Sequence, residues 1–160
     1  MTRSEEKFAR ALEATYVDER EALESLPEMI AASDSVVLRR ALRRLVMPTT
    51  LRLLRLKTIL GELGLRPGPS PEGHRRTFDQ LDARDPAMLE IMLHLVSRRV
   101  SSYGRAKTCA DEADLVDVAA TLAASLDEVM AEGRLMEAVL APAMGLPARH
   151  GTTHGPSLTR

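Results

Sequence analysis

The chain has 160 residues and a net charge of −1, and 44% of its residues are hydrophobic, 28% charged and 2% aromatic. This length suits one domain that buries roughly 70% of its unfolded surface. The balanced charge argues against a general nucleic-acid binder, and the scarcity of aromatic residues argues against a large β-sheet. The single cysteine excludes an internal disulfide. Without a signal-peptide pattern or a membrane-spanning segment, a cytoplasmic protein that does not enter the membrane is expected.

Apolar residues recur at helical spacing in four long segments. They predict helices over residues 3–32, 36–63, 86–110 and 115–140, with a short extra helix over 71–82. Thr2 and Glu5 have the spacing of a capping box, and Ser35 and Asp114 stand where N-caps of the second and fourth helices are expected. Gly64 should end the second helix in a left-handed conformation. We therefore predict an all-α fold in which two antiparallel helical hairpins, joined by a crossover, form a four-helix bundle.

Three of the apolar stripes are interrupted by a charged residue. Glu19 breaks the first stripe, Arg52 the second and Arg99 the third. A buried charge is costly unless it is paired or bound to a metal, so these three residues are the first candidates for a functional or structural site. On the fourth stripe, Gly133 indicates either a close approach of the helix backbone to a neighbour or the loss of a larger side chain.

The first helix is rich in acidic residues and the second in arginine. Because a short turn joins them, opposite charges should face each other across the hairpin. The second helix carries a run of four arginines, Arg39, Arg40, Arg43 and Arg44. We interpret the run as a solvated ion-pair face, with a phosphate- or nucleic-acid-binding ridge as the alternative.

From residue 141 the sequence becomes rich in proline and glycine and loses its apolar periodicity. We therefore predict a bundle domain over residues 1–140 and an irregular tail over 141–160 that is either disordered or docked on a protein partner. His150 and His154 in this tail are only a weak metal signal.

The order and spacing of several short motifs resemble the ferritin-like stress-protein family typified by YciE and YciF. The resemblance covers about residues 8–140. The matching positions are Tyr16, Glu19, Ala22-Leu23, Leu26-Pro27, Met29, Ser35, Leu38-Arg39, Ala41, Thr49, Arg55-Leu56, Ile59, Leu63-Gly64, Asp85-Pro86, Tyr103-Gly104 and Leu126-Asp127-Glu128.

This resemblance implies a ferritin-like bundle in which carboxylates and histidine from the four helices hold two metal ions. Glu19 matches the carboxylate of the first helix. The other expected ligand positions correspond to Pro48 and Arg52, Val96 and Arg99, and Val129 and Gly133, although Glu128 persists beside the last pair. Arginine stays cationic and cannot ligate a metal. No metal cofactor is therefore expected, and a retained di-iron or di-manganese centre is the alternative.

Our hypothesis is that a buried cluster of Glu19, Arg52 and Arg99 replaces the metal centre, with the hydroxyl groups of Tyr16 or Tyr103 as additional partners. The alternative is that the arginines bury only their stems and extend their charged ends to solvent. Removal of Glu19 from a buried cluster would strand cations in the core.

The expected function is non-catalytic: assembly or partner binding, in a stress response as the family resemblance implies. A homodimer or higher oligomer is expected, with Met47, Leu51 and Leu54 as apolar contacts. The alternatives are a di-iron or di-manganese oxidase or metal-binding protein and, less consistent with the net charge, a nucleic-acid-associated protein that uses the arginine run.

Overall fold

The computed structural model describes residues 2–67, 85–140 and 142 of the chain. These residues form four long α-helices and no strand. The helices are α1 (Arg3–Ala32), α2 (Val36–Glu62), α3 (Asp85–Glu112) and α4 (Val116–Leu135), and a π-helical turn, Met136–Leu140, continues α4. The predicted short helix over 71–82 and the predicted tail over 141–160 lie outside the described residues, except for Pro142, which is helical.

The helices are arranged as two hairpins. α1 packs against both α2 and α3, and α3 packs against α4. Turns of three residues join α1 to α2 and α3 to α4, which makes the helices of each hairpin antiparallel neighbours. The fold is therefore the predicted all-α, ferritin-like four-helix bundle. None of the described helices is long and apolar enough to span a membrane.

Local sequence signals determine where α1 and α2 begin and where α2 ends. The backbone N–H of Glu5 donates to Thr2 Oγ1 (3.2 Å) and that of Thr2 donates to Glu5 Oε2 (2.6 Å), which completes the predicted capping box. Ser35 caps α2 by accepting the backbone N–H of Leu38. Gly64 adopts a φ of +69° just beyond α2, as its position predicted.

The prediction that Asp114 caps α4 is wrong. Asp114 has a φ of +57° and belongs to the turn, and Leu115 occupies the cap position without a side-chain hydrogen bond. The backbone N–H groups of Ala113 and Asp114 fold back onto carbonyl groups at the end of α3. Asparagine and aspartate tolerate the left-handed region better than most residues, so Asp114 serves the α3 terminus instead.

The core is built from aliphatic side chains on all four helices, with Phe8 and Tyr103 as its fully buried aromatic residues. α3 and α4 approach each other closely at Gly133. A Cβ atom on Gly133 would lie 2.8 Å from Val96 Cγ1, closer than real side chains pack. The absence of a side chain at Gly133 therefore makes room for the Val96 side chain of α3 near the end of α4.

Candidate functional site

Four charged side chains meet at the centre of the bundle, one from each helix. They are Glu19 on α1, Arg52 on α2, Arg99 on α3 and Glu132 on α4. Glu19 is 0% exposed, both arginines are 1% exposed and Glu132 is 7% exposed. We call these four residues the charged centre. Both arginines point into the bundle, so their charged ends do not extend to solvent.

Each arginine of the charged centre bridges both glutamates. Arg52 Nε donates to Glu19 Oε1 (3.1 Å), and Arg52 Nη2 donates to Glu132 Oε2 (2.9 Å). Arg99 Nη1 donates to Glu19 Oε1 (3.2 Å), and Arg99 Nη2 donates to Glu132 Oε1 (2.7 Å). The four groups thus form a closed ring of alternating charge with no net charge. Charge-assisted hydrogen bonds of this kind compensate for much of the cost of removing ions from water.

Polar atoms around the ring accept two further guanidinium N–H groups. Arg52 Nη2 also donates to Thr49 Oγ1 (3.2 Å), and Arg99 Nε donates to the carbonyl oxygen of Leu95 (3.2 Å). Arg52 Nη1 lies 3.7 Å from a carboxylate oxygen of Glu128. Burial alone would lower the pKa of the Arg52 guanidinium, but the negative charges of Glu19 and Glu132 outweigh this effect and raise the pKa above its ordinary value. Arg52 is therefore held as a cation.

Two oxygen atoms beside the ring have no hydrogen-bond partner among the described residues. They are Glu19 Oε2 and the hydroxyl oxygen of Tyr103. Burial raises the pKa of Tyr103 far above its ordinary value, and the adjacent negative charge of Glu19 raises it further. The Tyr103 hydroxyl group therefore keeps its proton and lies next to the Glu19 carboxylate as a neutral group. The hydroxyl oxygen of Tyr103 and Glu19 Oε2 do not meet the geometry of a hydrogen bond.

The two tyrosines that were predicted to join the charged centre differ in their contacts. Tyr16 is buried, and its aromatic ring lies under the Arg20 guanidinium, with 5.6 Å between the centroid of that ring and Arg20 Cζ. Within the described part of the chain, Tyr16 makes no hydrogen bond to the four residues of the charged centre. Of the two tyrosines predicted as alternative partners, Tyr103 is the one whose hydroxyl group lies beside Glu19. Tyr103 reaches the ring because it lies one helical turn from Arg99 on the same face of α3.

The arginine run on α2 does not form the expected ion-pair face with α1. The acidic residues Asp18 and Glu21 of α1 pair with Arg98 of α3 instead, at 2.6 and 2.7 Å. Arg39 donates to the backbone carbonyl of Ser33 at the end of α1 (2.7 Å). For the rest of the run (Arg40, Arg43 and Arg44), no ion pair or hydrogen bond to another described residue is found.

Glu132 is the member of the charged centre that sequence analysis missed. The helical stripe of α4 passes through Val129 and Gly133, and both are buried as expected. Glu132 lies one position from that stripe and still turns inward, because a helical stripe is wide enough to include residues at its edge. Charge balance was the available signal: two buried arginines require two buried carboxylates, and Glu19 supplies only one.

The residues of the charged centre do not fit the di-metal site that the family resemblance implied. Two divalent cations require several free anionic ligands. Here both glutamates accept hydrogen bonds from guanidinium groups, and only Glu19 Oε2 remains available. Within the described ranges, no group of three or more potential metal-ligating side chains occurs. The guanidinium groups instead supply the positive charge.

Comparison with known proteins assigns the chain to a family. The family described as a domain of unknown function, DUF892, matches residues 3–146. The chain belongs to the DUF892 family. A search of curated proteins found no significant match.

Solved structures that resemble this DUF892 protein include the following two. YcfI from Rhodopseudomonas palustris, a protein proposed to be structural, has a TM-score of 0.74 and 20% identity, with 87% of this chain and 96% of that chain covered. A two-domain protein from Anabaena variabilis, which contains DJ-1/ThiJ/PfpI-like and ferritin-like domains, has a TM-score of 0.67 and 13% identity. That match covers 96% of this chain and 40% of the other. At these identities the likeness shows the fold alone.

Proposed function

We propose that this DUF892 protein is a non-catalytic, YciE/YciF-type helical bundle that acts through assembly, and that its charged centre replaces a metal centre. The observation that carries the proposal is the closed ring of two arginines and two glutamates at the middle of the bundle. The ring leaves no free ligand set and no reactive group there. A role under stress is implied only by the family resemblance stated above.

The ring provides a physical role for charges that would otherwise be costly. Each of the four helices contributes one member, so a shift of any helix by one turn would leave a buried charge without a partner. Removing one partner of a buried ion pair costs roughly 3–5 kcal/mol. The charged centre therefore specifies the relative register of the helices, as two bound ions could in a metal-containing relative.

Assembly is supported by an apolar row on the outside of α2. Met47, Leu51 and Leu54 follow each other at helical spacing and are 66%, 46% and 52% exposed. An exposed row of large apolar side chains on an otherwise charged surface is typical of a contact between subunits. A second copy of the chain can bury its own row against this one around a two-fold axis.

Size-exclusion chromatography with light scattering over a range of protein concentrations tests this assembly. We expect a mass of twice the 17.6 kDa chain mass, and a return to the monomer mass on Leu51→Glu. Val116→Glu is the matched control, because Val116 is 74% exposed but lies at the start of α4, away from the row. A monomer at every concentration, or equal effects of the two substitutions, would contradict assembly through this row.

A further inference from the structure

A pocket of about 210 Å³ lies between the first half of α2, the start of α3 and the end of α4. Its floor consists of fully or almost fully buried apolar side chains, among them Leu42, Leu89 and Met136. Glu132 also lines the pocket, but both of its carboxylate oxygens accept hydrogen bonds from the arginines of the charged centre. The pocket therefore offers an apolar interior in which a neutralised carboxylate is the only described charged group apart from two arginines on α2.

The two arginines that line this pocket are Arg40 and Arg44. They are four residues apart on α2, so they lie one above the other on the same face. Both are exposed, and neither forms an ion pair or hydrogen bond with any other described residue. Two free guanidinium groups beside an apolar pocket are suited to an anion that carries an apolar chain.

The backbone at the pocket also departs from regular helix. Met136, which lines it, begins the π-helical turn at the end of α4. π-helical turns are rare and frequently occur at functional sites. Leu135, the last residue of α4, also lines the pocket and is 55% exposed.

We infer that this pocket binds a medium-chain fatty acid, with the carboxylate at Arg40 and Arg44 and the hydrocarbon chain among the buried leucine and methionine side chains. The volume sets the length of the chain. About 210 Å³ holds roughly seven groups of the size of a water molecule, each about 30 Å³. Methylene groups are of similar size, so octanoate, whose carboxylate would remain at the rim, matches the pocket. A carboxylate without a hydrocarbon chain would leave the apolar interior unfilled, and an amine with the same chain would place a positive charge next to Arg40 and Arg44.

Isothermal titration of the 160-residue chain with octanoate tests the inference. We expect saturable binding of octanoate, about tenfold weaker binding of hexanoate because two fewer methylene groups are buried, and at least tenfold weaker binding of octylammonium. The combined substitution Arg40→Glu with Arg44→Glu should weaken octanoate binding about tenfold or more. Arg43→Glu is the matched control, because Arg43 is exposed on the same helix but does not line the pocket.

A second variant separates loss of the site from loss of folding. Ala41→Phe keeps both arginines and places an apolar side chain in the wall of the pocket. It should abolish octanoate binding while helicity measured by circular dichroism is unchanged. Absence of octanoate binding to the wild type, equal binding of octylammonium, or an equal loss on Arg43→Glu would overturn the inference. The apolar row lies further along α2, so fatty-acid binding and assembly can each fail without the other.

Discussion

Glu19→Gln should destabilise the bundle severely, although it changes only one oxygen atom to an amide group. Glu19 is 0% exposed, and its Oε1 atom accepts hydrogen bonds from both Arg52 and Arg99. The substitution leaves two buried guanidinium groups with Glu132 as their one remaining buried carboxylate, so the charged centre gains a net positive charge. Breaking a buried pair in this way costs roughly 3–5 kcal/mol. For a chain of this length that corresponds to a decrease in Tm of about 10 °C.

Urea denaturation followed by far-ultraviolet circular dichroism measures this cost, since the chain contains no tryptophan for a fluorescence signal. Glu128→Gln is the matched control. Glu128 also lies near Arg52 and accepts a hydrogen bond from Arg55, but its side chain is 39% exposed, so its loss should cost less than about 1 kcal/mol. A Glu19→Gln variant within about 0.5 kcal/mol of the wild type, or no less stable than Glu128→Gln, would refute the account of the charged centre.

Two further predictions concern neighbours of the charged centre. Gly133→Ala should lower the free energy of unfolding by about 1–3 kcal/mol, because the new methyl group clashes with Val96. The additional substitution Val96→Ala should restore part of this loss. Gly104→Ala is the control: the space around Gly104 is open, so this substitution should raise the free energy of unfolding by up to about 1 kcal/mol in the same urea assay. Because the folded-state pKa of Tyr103 lies above its unfolded value of about 10, the stability that Tyr103 contributes is complete below about pH 10. It is lost above that pH, by up to about 1.4 kcal/mol per pH unit. Tyr103→Phe should therefore show a shallower loss of stability between about pH 9 and 11 than the wild type, and equal slopes in wild type and Tyr103→Phe would contradict the assignment.

The ends of α1 and α2 were predictable because they depend on local chemistry. A capping box at Thr2 and Glu5, a serine N-cap and a glycine after the helix are readable from neighbouring residues alone. The start of α4 was not predictable in this way. Asp114 is chemically suited both to an N-cap and to the left-handed turn at the end of the preceding helix, and the backbone hydrogen bonds of that turn decided between them.

The candidate site was predictable only in part. Helical spacing placed Glu19, Arg52 and Arg99 on the inner faces of their helices, but it could not decide whether the arginine side chains turn inward or toward solvent. Nor could it select Glu132, which lies at the edge of its stripe. These choices depend on how the four helices are rotated relative to one another, and that rotation is a property of the packed bundle.

The pocket depends even more strongly on tertiary packing. Its walls come from three helices, and the residues that line it look in sequence like ordinary core leucines and surface arginines. The expectation that the arginine run pairs with α1 was wrong because Arg98 of α3 lies closer to the acidic residues of that helix. Arg40 and Arg44 were left without described partners as a result.

Elemental analysis of the protein, purified without chelators or an added metal-affinity tag, tests most directly whether guanidinium groups have replaced metal ions at the middle of the bundle. The account predicts no stoichiometric iron or manganese, and no change in metal content on Glu19→Gln, because both carboxylates of the ring are engaged by arginines. Near-stoichiometric iron or manganese that is lost on Glu19→Gln would contradict it.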